Sequence, residues 1–177
     1  MDILDIFADI IAVLRARFYL RKTKLGRKVR VNGKPIINSH GQIIIADRCR
    51  LVATMGGLEL GAGTDGTLEI GESTFINYGT SIVAMQHVRI GKDCNIGTYC
   101  MIMDNDFHRL EPERRNERPK SEPIIIGDNV WLGGKVIVLK GVTIGDGSVI
   151  AAGSIVTKDI PARSLAAGSP ARVIRQL

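Results

Sequence analysis

The amino-acid sequence predicts an all-β solenoid: a left-handed parallel β-helix of hexapeptide repeats with an N-terminal α-helix and one extruded loop. A branched aliphatic residue opens each hexad between residues 126 and 160. The openers are Ile126, Leu132, Val138, Ile144, Ile150 and Val156. Neither the helical period of about 3.6 nor strand alternation sustains a spacing of six, whereas the coils of a parallel β-helix do. Few aromatic residues (5%) and 20 glycines suit a narrow prism with tight corners.

Residues 1–20 predict an amphipathic helix. Ile3, Phe7, Ile10, Leu14 and Phe18 follow the spacing that builds one apolar stripe. Charged residues interrupt the apolar run, which argues against a transmembrane span, and no basic segment precedes it, which argues against a signal peptide. Residues 1–30 hold eight Lys or Arg against three Asp, a charge of +5 out of the chain's +6.

Two interpretations of this first segment, residues 1–30, stay open. The helix packs on the prism or on a neighbouring subunit, or it rests with the basic residues that follow on the anionic inner leaflet of a membrane. Nucleic acid is not an expected partner, because no aromatic platform or recognition motif accompanies the basic cluster.

The β-helix is predicted over residues 31–160, with a tail at 161–177 that leaves the repeat and ends basic. The hexads begin at Val31, slip at Ile43 and Ile45, and lose phase in the Gly-rich stretch 54–67 before Ile70 restores them. About six coils are expected, stacked to a length of roughly 25–30 Å. Three cysteines occupy inward places of the hexads, so we expect reduced core residues in a cytosolic protein. They are Cys49, Cys94 and Cys100.

The repeat stops at residues 103–123, which are polar and charged and contain three prolines. Such a segment cannot lie within a β coil, so it is predicted to be extruded, and long loops of this kind are often functional. His108 is the one histidine in this loop, while His40 and His87 fall in the coils and are expected to be structural or peripheral.

Two runs carry a resemblance to a known family. The run Ile126-Gly-Asp-Asn-Val-Trp-Leu-Gly-Gly and the later Ala-Ala-Gly-Ser-Pro-Ala-Arg-Val-Ile-Arg resemble the hexapeptide-repeat acyltransferases, most of all the maltose, galactoside and nodulation-type O-acetyltransferases and relatives that acetylate surface polysaccharides. The sequence Asp104-Asn-Asp-Phe-His108 looks more like the polysaccharide-modifying members. Met85 stands where the disaccharide enzymes have an acceptor-binding aspartate, which puts small disaccharides in doubt.

This resemblance implies a cytoplasmic homotrimer of prisms, with acetyl-CoA as acyl donor in the cleft between neighbours and a carbohydrate as acceptor. It implies that His108 is the general base and that Asn77 contacts the acceptor. Asp104 or Asp106 either orients the imidazole, binds a sugar hydroxyl or closes the loop. Gly134 would offer a backbone N–H to the thioester, and Trp131 would lie at the acyl site or a subunit contact. The expected CoA contacts are Ala152, Thr157, Lys158, Arg172 and Arg175.

The chemistry agrees with this assignment, because an alcohol needs a base to become a nucleophile near neutral pH and imidazole titrates in that range. The leading hypothesis is therefore transfer of an acetyl group to a sugar hydroxyl by direct attack. Alternatives are an amino sugar, serine or xenobiotic acceptor, or a non-catalytic β-helix scaffold. The γ-class carbonic anhydrases share this prism and bind zinc, but their His pair five residues apart is missing from the sequence, so no metal is expected.

Overall fold

The computed structural model of the protein describes residues 3–177 of the chain. The predicted helix is confirmed as α1, Ile3–Tyr19; Met1, Asp2 and the side chain of Ile3 lie outside the described residues. Helix α1 packs against Val31 and its neighbours with Ala12, Ala16 and Leu20, which are buried. It thereby closes the N-terminal end of the core. The large residues of the predicted apolar stripe, in contrast, remain exposed.

Twenty strands follow the helix, most of them two to four residues long. They are β1 (Lys24–Leu25), β2 (Arg30–Gly33), β3 (Ile36–Ser39), β4 (Gln42–Ile45), β5 (Arg50–Ala53), β6 (Glu59–Ala62), β7 (Thr67–Ile70), β8 (Phe75–Ile76), β9 (Ser81–Ala84), β10 (His87–Ile90), β11 (Asn95–Ile96), β12 (Met101–Met103), β13 (Ile124–Ile126), β14 (Trp131–Leu132), β15 (Ile137–Val138), β16 (Thr143–Ile144), β17 (Val149–Ile150), β18 (Ile155–Val156), β19 (Ser164–Gly168) and β20 (Ala171–Gln176). One 3₁₀ turn, Pro112–Arg114, lies in the loop between β12 and β13.

The strands form the three faces of a left-handed β-helix, as predicted. Each strand from β1 to β15 pairs in parallel with the strand three places later. We call the sheet that contains β1 and β4 face A, the sheet that contains β2 and β5 face B, and the sheet that contains β3 and β6 face C. Six complete coils result, and a seventh begins with the bridge between Ile144 and Ile160 and with β19. The expected number of coils is therefore confirmed.

The openers of the hexads fill the prism. Ile126, Leu132, Ile144, Ile150 and Val156 are each fully buried, because the inward positions of neighbouring coils stack directly on one another. The apparent slip at Ile43 and Ile45 has a simple cause: both residues are inward positions of the four-residue strand β4.

The Gly-rich stretch also belongs to the prism. Leu51 pairs with Ile76 and Glu59 with Ser81, so residues 52–58 occupy the corner that residues 77–80 fill in the next coil. Three additional residues at this corner shift the phase of the hexads, while β6 itself stays in register on face C.

The three cysteines are free thiols in the core, which confirms their predicted placement. Burial raises the pKa of Cys49 and of Cys94 to about 11, and it also raises the pKa of Cys100. Within residues 3–177, no helix combines the length and the apolarity that crossing a membrane requires.

Candidate functional site

The extruded loop begins at the corner between faces C and A, and a buried carboxylate fixes its foot. Asp104 is fully buried, and its two oxygens accept the backbone N–H groups of Met85, Gln86 and His87 at 2.7 Å each. This carboxylate therefore ties the loop to the preceding coil. Of the roles proposed for Asp104, the structure supports loop closure and leaves no exposed oxygen for a sugar hydroxyl.

Asn105 closes the neck of the loop from the other side. Its amide nitrogen donates to Ser121 Oγ at 2.8 Å and to the carbonyl oxygen of Pro119 at 3.2 Å, and its oxygen accepts the N–H of Phe107 at 2.5 Å. That bond holds Phe107 at a φ of 61°, a left-handed conformation that an aromatic residue seldom adopts without support. Asn105 therefore sets the direction in which the chain enters His108.

Asp106 takes a third position on the neck. Its carboxylate lies 2.6 Å from Lys140 Nζ, at the same corner one coil further on, and Glu122 lies 3.6 Å from the same ammonium group. The hydrogen bond with Asp106 raises the pKa of Lys140. Asp106 is thus paired with a lysine and does not contact the imidazole.

His108 is exposed within the loop, and a backbone carbonyl orients its ring. Nδ1 lies 3.0 Å from the carbonyl oxygen of Arg115. Because a carbonyl can only accept, Nδ1 is the nitrogen that carries the proton, and in the neutral ring Nε2 is then unprotonated. The arrangement leaves Nε2 as a base. The 3₁₀ turn that ends at Arg114 brings this carbonyl to the ring.

A groove of about 540 Å³ lies on face B. Trp131 of β14 forms part of its wall and is 56% exposed, so its ring faces outward from the prism. Asn77, at the corner between faces B and C, lines the same groove, and its side-chain oxygen accepts the N–H of Tyr78 at 2.9 Å. The amide nitrogen of Asn77 lies outside that bond and can donate to a ligand.

Gly134 lies higher on this B–C corner, where a Cβ would require a small shift of one side chain only. A Cβ at Gly133 would lie 2.6 Å from a backbone nitrogen of the next coil, but at Gly134 the nearest atom is the Thr98 hydroxyl at 3.1 Å. Among residues 3–177, no acceptor takes the N–H of Gly134 or that of Ala152, which stacks above it. Both of these amides are therefore available to a ligand at this corner.

The tail, predicted only as a basic end that leaves the repeat, forms two strands that extend face B. Strand β19 pairs with β17 in parallel and with β20 antiparallel. A β-bulge in this hairpin places Arg175 opposite Leu165 and Arg172 opposite Ala167. Since Leu165 and Ala167 are two residues apart, both arginines project on the same outer side. Neither makes a salt bridge with a carboxylate in the described part of the chain, so both can meet an anion.

Thr157 and Lys158 are exposed and follow β18, at the corner between faces C and A. From the pairing of β15 with β18 they lie one coil beyond Leu139 and Lys140. The predicted residues thus divide between two corners of one prism. The B–C corner and the adjoining part of face B hold Asn77, Trp131, Gly134, Ala152, Arg172 and Arg175, whereas the C–A corner holds Asp104, Asp106, His108, Thr157 and Lys158.

Sequence reasoning missed three contributors: the amide of Asn105, the ammonium group of Lys140 and the carbonyl of Arg115. Asn105 lies within the quoted motif, but its partners arise only when the ends of the loop meet. No group of three or more His, Cys, Asp or Glu that could hold a metal occurs in the part of the chain that the structure describes.

Comparisons with known proteins also identify the hexapeptide repeat. The family model "Hexapeptide repeat of succinyl-transferase" matches residues 123–158. The galactoside O-acetyltransferase of Escherichia coli (strain K12) is 44% identical over 110 residues, which are 62% of this chain and 54% of the relative. The chain spans about half the length of the curated relatives it matches.

Two solved structures extend the likeness over most of the prism. A hexapeptide-repeat containing acetyltransferase from Vibrio cholerae O1 biovar eltor, complexed with acetyl coenzyme A, is 30% identical with a TM-score of 0.61, covering 86% of this chain and 70% of that one. The polySia-specific acetyltransferase NeuO is 29% identical with a TM-score of 0.60, covering 85% of this chain and 72% of that one.

Proposed function

Because the chain belongs to the hexapeptide-repeat acyltransferase family, we propose that it is an acetyl-CoA-dependent O-acetyltransferase with a sugar hydroxyl as acceptor. The observation that carries this proposal is the hydrogen bond between His108 Nδ1 and the Arg115 carbonyl at 3.0 Å. It leaves an unprotonated Nε2 on an exposed loop, where an alcohol can approach. General-base catalysis needs this combination of tautomer and access.

The proposed reaction is a direct transfer. His108 Nε2 accepts the proton of the sugar hydroxyl while the hydroxyl oxygen attacks the thioester carbon. The tetrahedral intermediate then collapses with cleavage of the C–S bond, and the departing CoA thiolate recovers the proton from the imidazolium. No covalent acyl-enzyme is required, and no nucleophilic serine or cysteine lies beside His108 in the sequence. The three cysteines are all buried in the core.

The backbone offers a donor for the oxyanion that forms during the attack. We assign this role to the free N–H of Gly134, because a preorganised amide near the thioester oxygen stabilises the intermediate without reorganisation. The glycine lets the thioester approach the backbone. Ala152, Thr157 and Lys158 would follow the CoA chain, and Trp131 would border the acyl group.

Arg172 and Arg175 are proposed to hold the phosphates of CoA. Both project on one side of the β19–β20 hairpin, and neither is neutralised by a carboxylate within residues 3–177. A planar guanidinium fits phosphate oxygens in pairs, and the polyanionic nucleotide end of CoA favours two such groups.

The proposed assembly is a homotrimer with the site between prisms. One prism presents His108 and Lys158 at its C–A corner but Asn77 and Gly134 at its B–C corner, on the opposite edge of face C. A neighbouring subunit can bring the two kinds of corner together, and closed rotational symmetry repeats that contact three times.

A surface polysaccharide or its precursor is the proposed acceptor, and the cytoplasm, where acetyl-CoA is available, is the proposed compartment. The Asp104–His108 motif and the absence of an aspartate at Met85 support a glycan other than a small disaccharide. The relative named for polySia supports it as well.

The test is the His108→Ala variant, with thiol release from acetyl-CoA measured in the presence of a glycan library. We expect kcat to fall by about 10²–10⁴-fold while the Kd of CoA by calorimetry stays within a factor of two or so. His40→Ala, which removes an exposed histidine from an early coil, is the matched control. Unchanged turnover in His108→Ala would show that His108 is not the general base.

Mass spectrometry of the products identifies the acceptor. We expect an added acetyl group that mild alkali removes, as an ester requires. An alkali-stable product would assign the reaction to an amine, such as that of an amino sugar. No thiol release with any acceptor, from protein that binds CoA, would favour a non-catalytic scaffold.

A further inference from the structure

Helix α1 is attached to the prism by its small residues. Ala12, Ala16 and Leu20 recur at intervals of four and are at most 3% exposed, so they form one edge of the helix. This edge packs on β2, the first strand of face B. Asp9 lies on the same side and is 2.6 Å from Arg30 at the base of the prism. The helix is therefore held in one rotational setting.

The opposite side of α1 is apolar and exposed. Its members are Leu4 (72% exposed), Phe7 (60%), Ile10 (50%), Ile11 (48%), Leu14 (58%) and Phe18 (62%). At about 100° per residue these six positions fall within an arc of roughly 120° that lies opposite the alanine edge. We call this surface the outer face of α1. A contiguous apolar surface of this width calls for an apolar neighbour.

Basic residues border the outer face on both sides. Arg15 lies at one margin of the arc and Arg17 at the other, and Arg21 stacks on Phe18 with its guanidinium carbon 5.5 Å from the ring centroid. Lys22 and Lys28 follow, and in the described part of the chain neither of them, nor Arg15 or Arg17, pairs with a carboxylate. The acidic residues of the helix, Asp5 and Asp9, turn toward the β2 side.

This distribution decides between two occupants of the outer face. If the outer faces of two copies met, the margins would bring arginine against apolar or like-charged residues, because among residues 3–177 no carboxylate borders the arc. Against an anionic bilayer, the apolar arc meets acyl chains and the arginines reach phosphate headgroups with their long stems. The charges fit the lipid surface.

We propose that α1 lies in the plane of an anionic phospholipid surface, with its outer face in the acyl region and its basic margins at the headgroups. The helix packs on the first coil, so Arg172 and Arg175, in the last one, lie at the far end of the prism. This proposal stands apart from acetyl transfer, and it needs no trimer. In a cyclic trimer, however, the three helices would share one end and bind multivalently.

The experiment is flotation of the full-length protein with two kinds of vesicle, phosphatidylcholine alone and phosphatidylcholine with one quarter phosphatidylglycerol. We expect flotation with the second kind only, reduced as salt increases, because headgroup attraction is screened. The double variant Phe7→Gln with Leu14→Gln keeps good helix-forming residues in place and should lose at least tenfold in the bound-to-free ratio. Met55→Gln removes an apolar residue that is 76% exposed away from the helix and should float like the native protein.

A second variant, Arg15→Gln with Arg17→Gln, should weaken flotation and its dependence on salt while the outer face remains intact. Absence of flotation of the native protein, with native circular dichroism and thiol release, would overturn the proposal and leave the enzymatic function untouched. Equal flotation of native protein and the Phe7/Leu14 variant would also overturn it. The proposal would also be overturned if the native protein did not bind vesicles and the Phe7/Leu14 variant had a lower mass than the native protein by light scattering. The outer face would then be a contact between copies of the chain.

Discussion

The buried carboxylate of Asp104 offers a direct test of how the loop is held. The perturbation is Asp104→Asn, which preserves shape but removes the charge and replaces one acceptor with an NH2 group. In the native protein one oxygen accepts the N–H of Met85, and the other accepts those of Gln86 and His87. In the variant, the amide oxygen can serve the latter two donors, and the NH2 group then faces the N–H of Met85.

The magnitude follows from these three contacts. One buried N–H is left without an acceptor, at a cost of about 1–3 kcal/mol, and two hydrogen bonds lose their charged acceptor, at about 0.5–1 kcal/mol each. The expected decrease in the free energy of unfolding is therefore about 2–5 kcal/mol. Asp104→Ala, which leaves three amides without an acceptor, should cost more.

The assay is urea unfolding followed by circular dichroism, combined with limited proteolysis of the native state at the basic sites of the loop. We expect faster cleavage at Arg114 and Arg115 and lower turnover in Asp104→Asn. Asp106→Asn is the matched control: it removes a carboxylate two residues away that is half exposed and paired with Lys140, and such pairs contribute less than about 1 kcal/mol. Equal stability and equal proteolysis of the two variants would refute the role assigned to Asp104.

Three further predictions concern the B–C corner, the tail and the core. Gly134→Ala should lower kcat on the order of 100-fold with little loss of stability, because the Thr98 hydroxyl that the Cβ would meet can rotate. Gly57→Ala, where a Cβ makes only an ordinary contact with Ile36, should leave both kcat and stability unchanged. A normal kcat in Gly134→Ala would exclude a close approach of the thioester to this backbone. Joint replacement of Arg172 and Arg175 by Ala should raise the Kd of CoA roughly 10- to 100-fold in calorimetry, and the loss should shrink at high salt. Burial raises the pKa of Cys49 in the folded protein to about 11, from an ordinary 9.0. As the pH rises from about 9 to about 11 the thiol ionises in the unfolded chain but not in the folded one, so the free energy of unfolding should decrease over this range. Cys49→Ala should show a smaller fall in urea titrations at several pH values.

The hexads made the prism predictable because each opener is an inward position whose burial stabilises the coil on both sides. Ile126, Leu132 and Ile144 needed no information beyond their spacing. The corner at 52–58 has no regular spacing of six, because three additional residues shift the phase of the hexads there. Only the pairing of Glu59 with Ser81 shows that face C continues. The strands of the tail were missed for a related reason, because a hairpin that turns at Ser169-Pro170 has no sixfold period.

His108 could be found from sequence, since it is the histidine at the interruption of the repeat. The orientation of its ring could not be found, because the partner is the backbone carbonyl of Arg115. Every residue has such a carbonyl whatever its side chain, so the sequence does not mark the one that binds. Asp104 and Asp106 illustrate the opposite problem. The sequence left three roles open for them: orienting the imidazole, binding a sugar hydroxyl or closing the loop. In the structure, Asp104 closes the loop by binding three amides of the preceding coil, and Asp106 binds Lys140.

The apolar stripe of α1 shows most clearly what periodicity cannot decide. The spacing of Phe7, Leu14 and Phe18 identifies a face but does not say what covers it, because a prism core and a lipid surface impose the same period of about 3.6 residues. The prism uses Ala12 and Ala16 instead, since small side chains let the helix lie close to β2. Burial of that edge leaves the larger residues outside, so the flanking charges, and not the apolar spacing, favour a lipid surface as their neighbour.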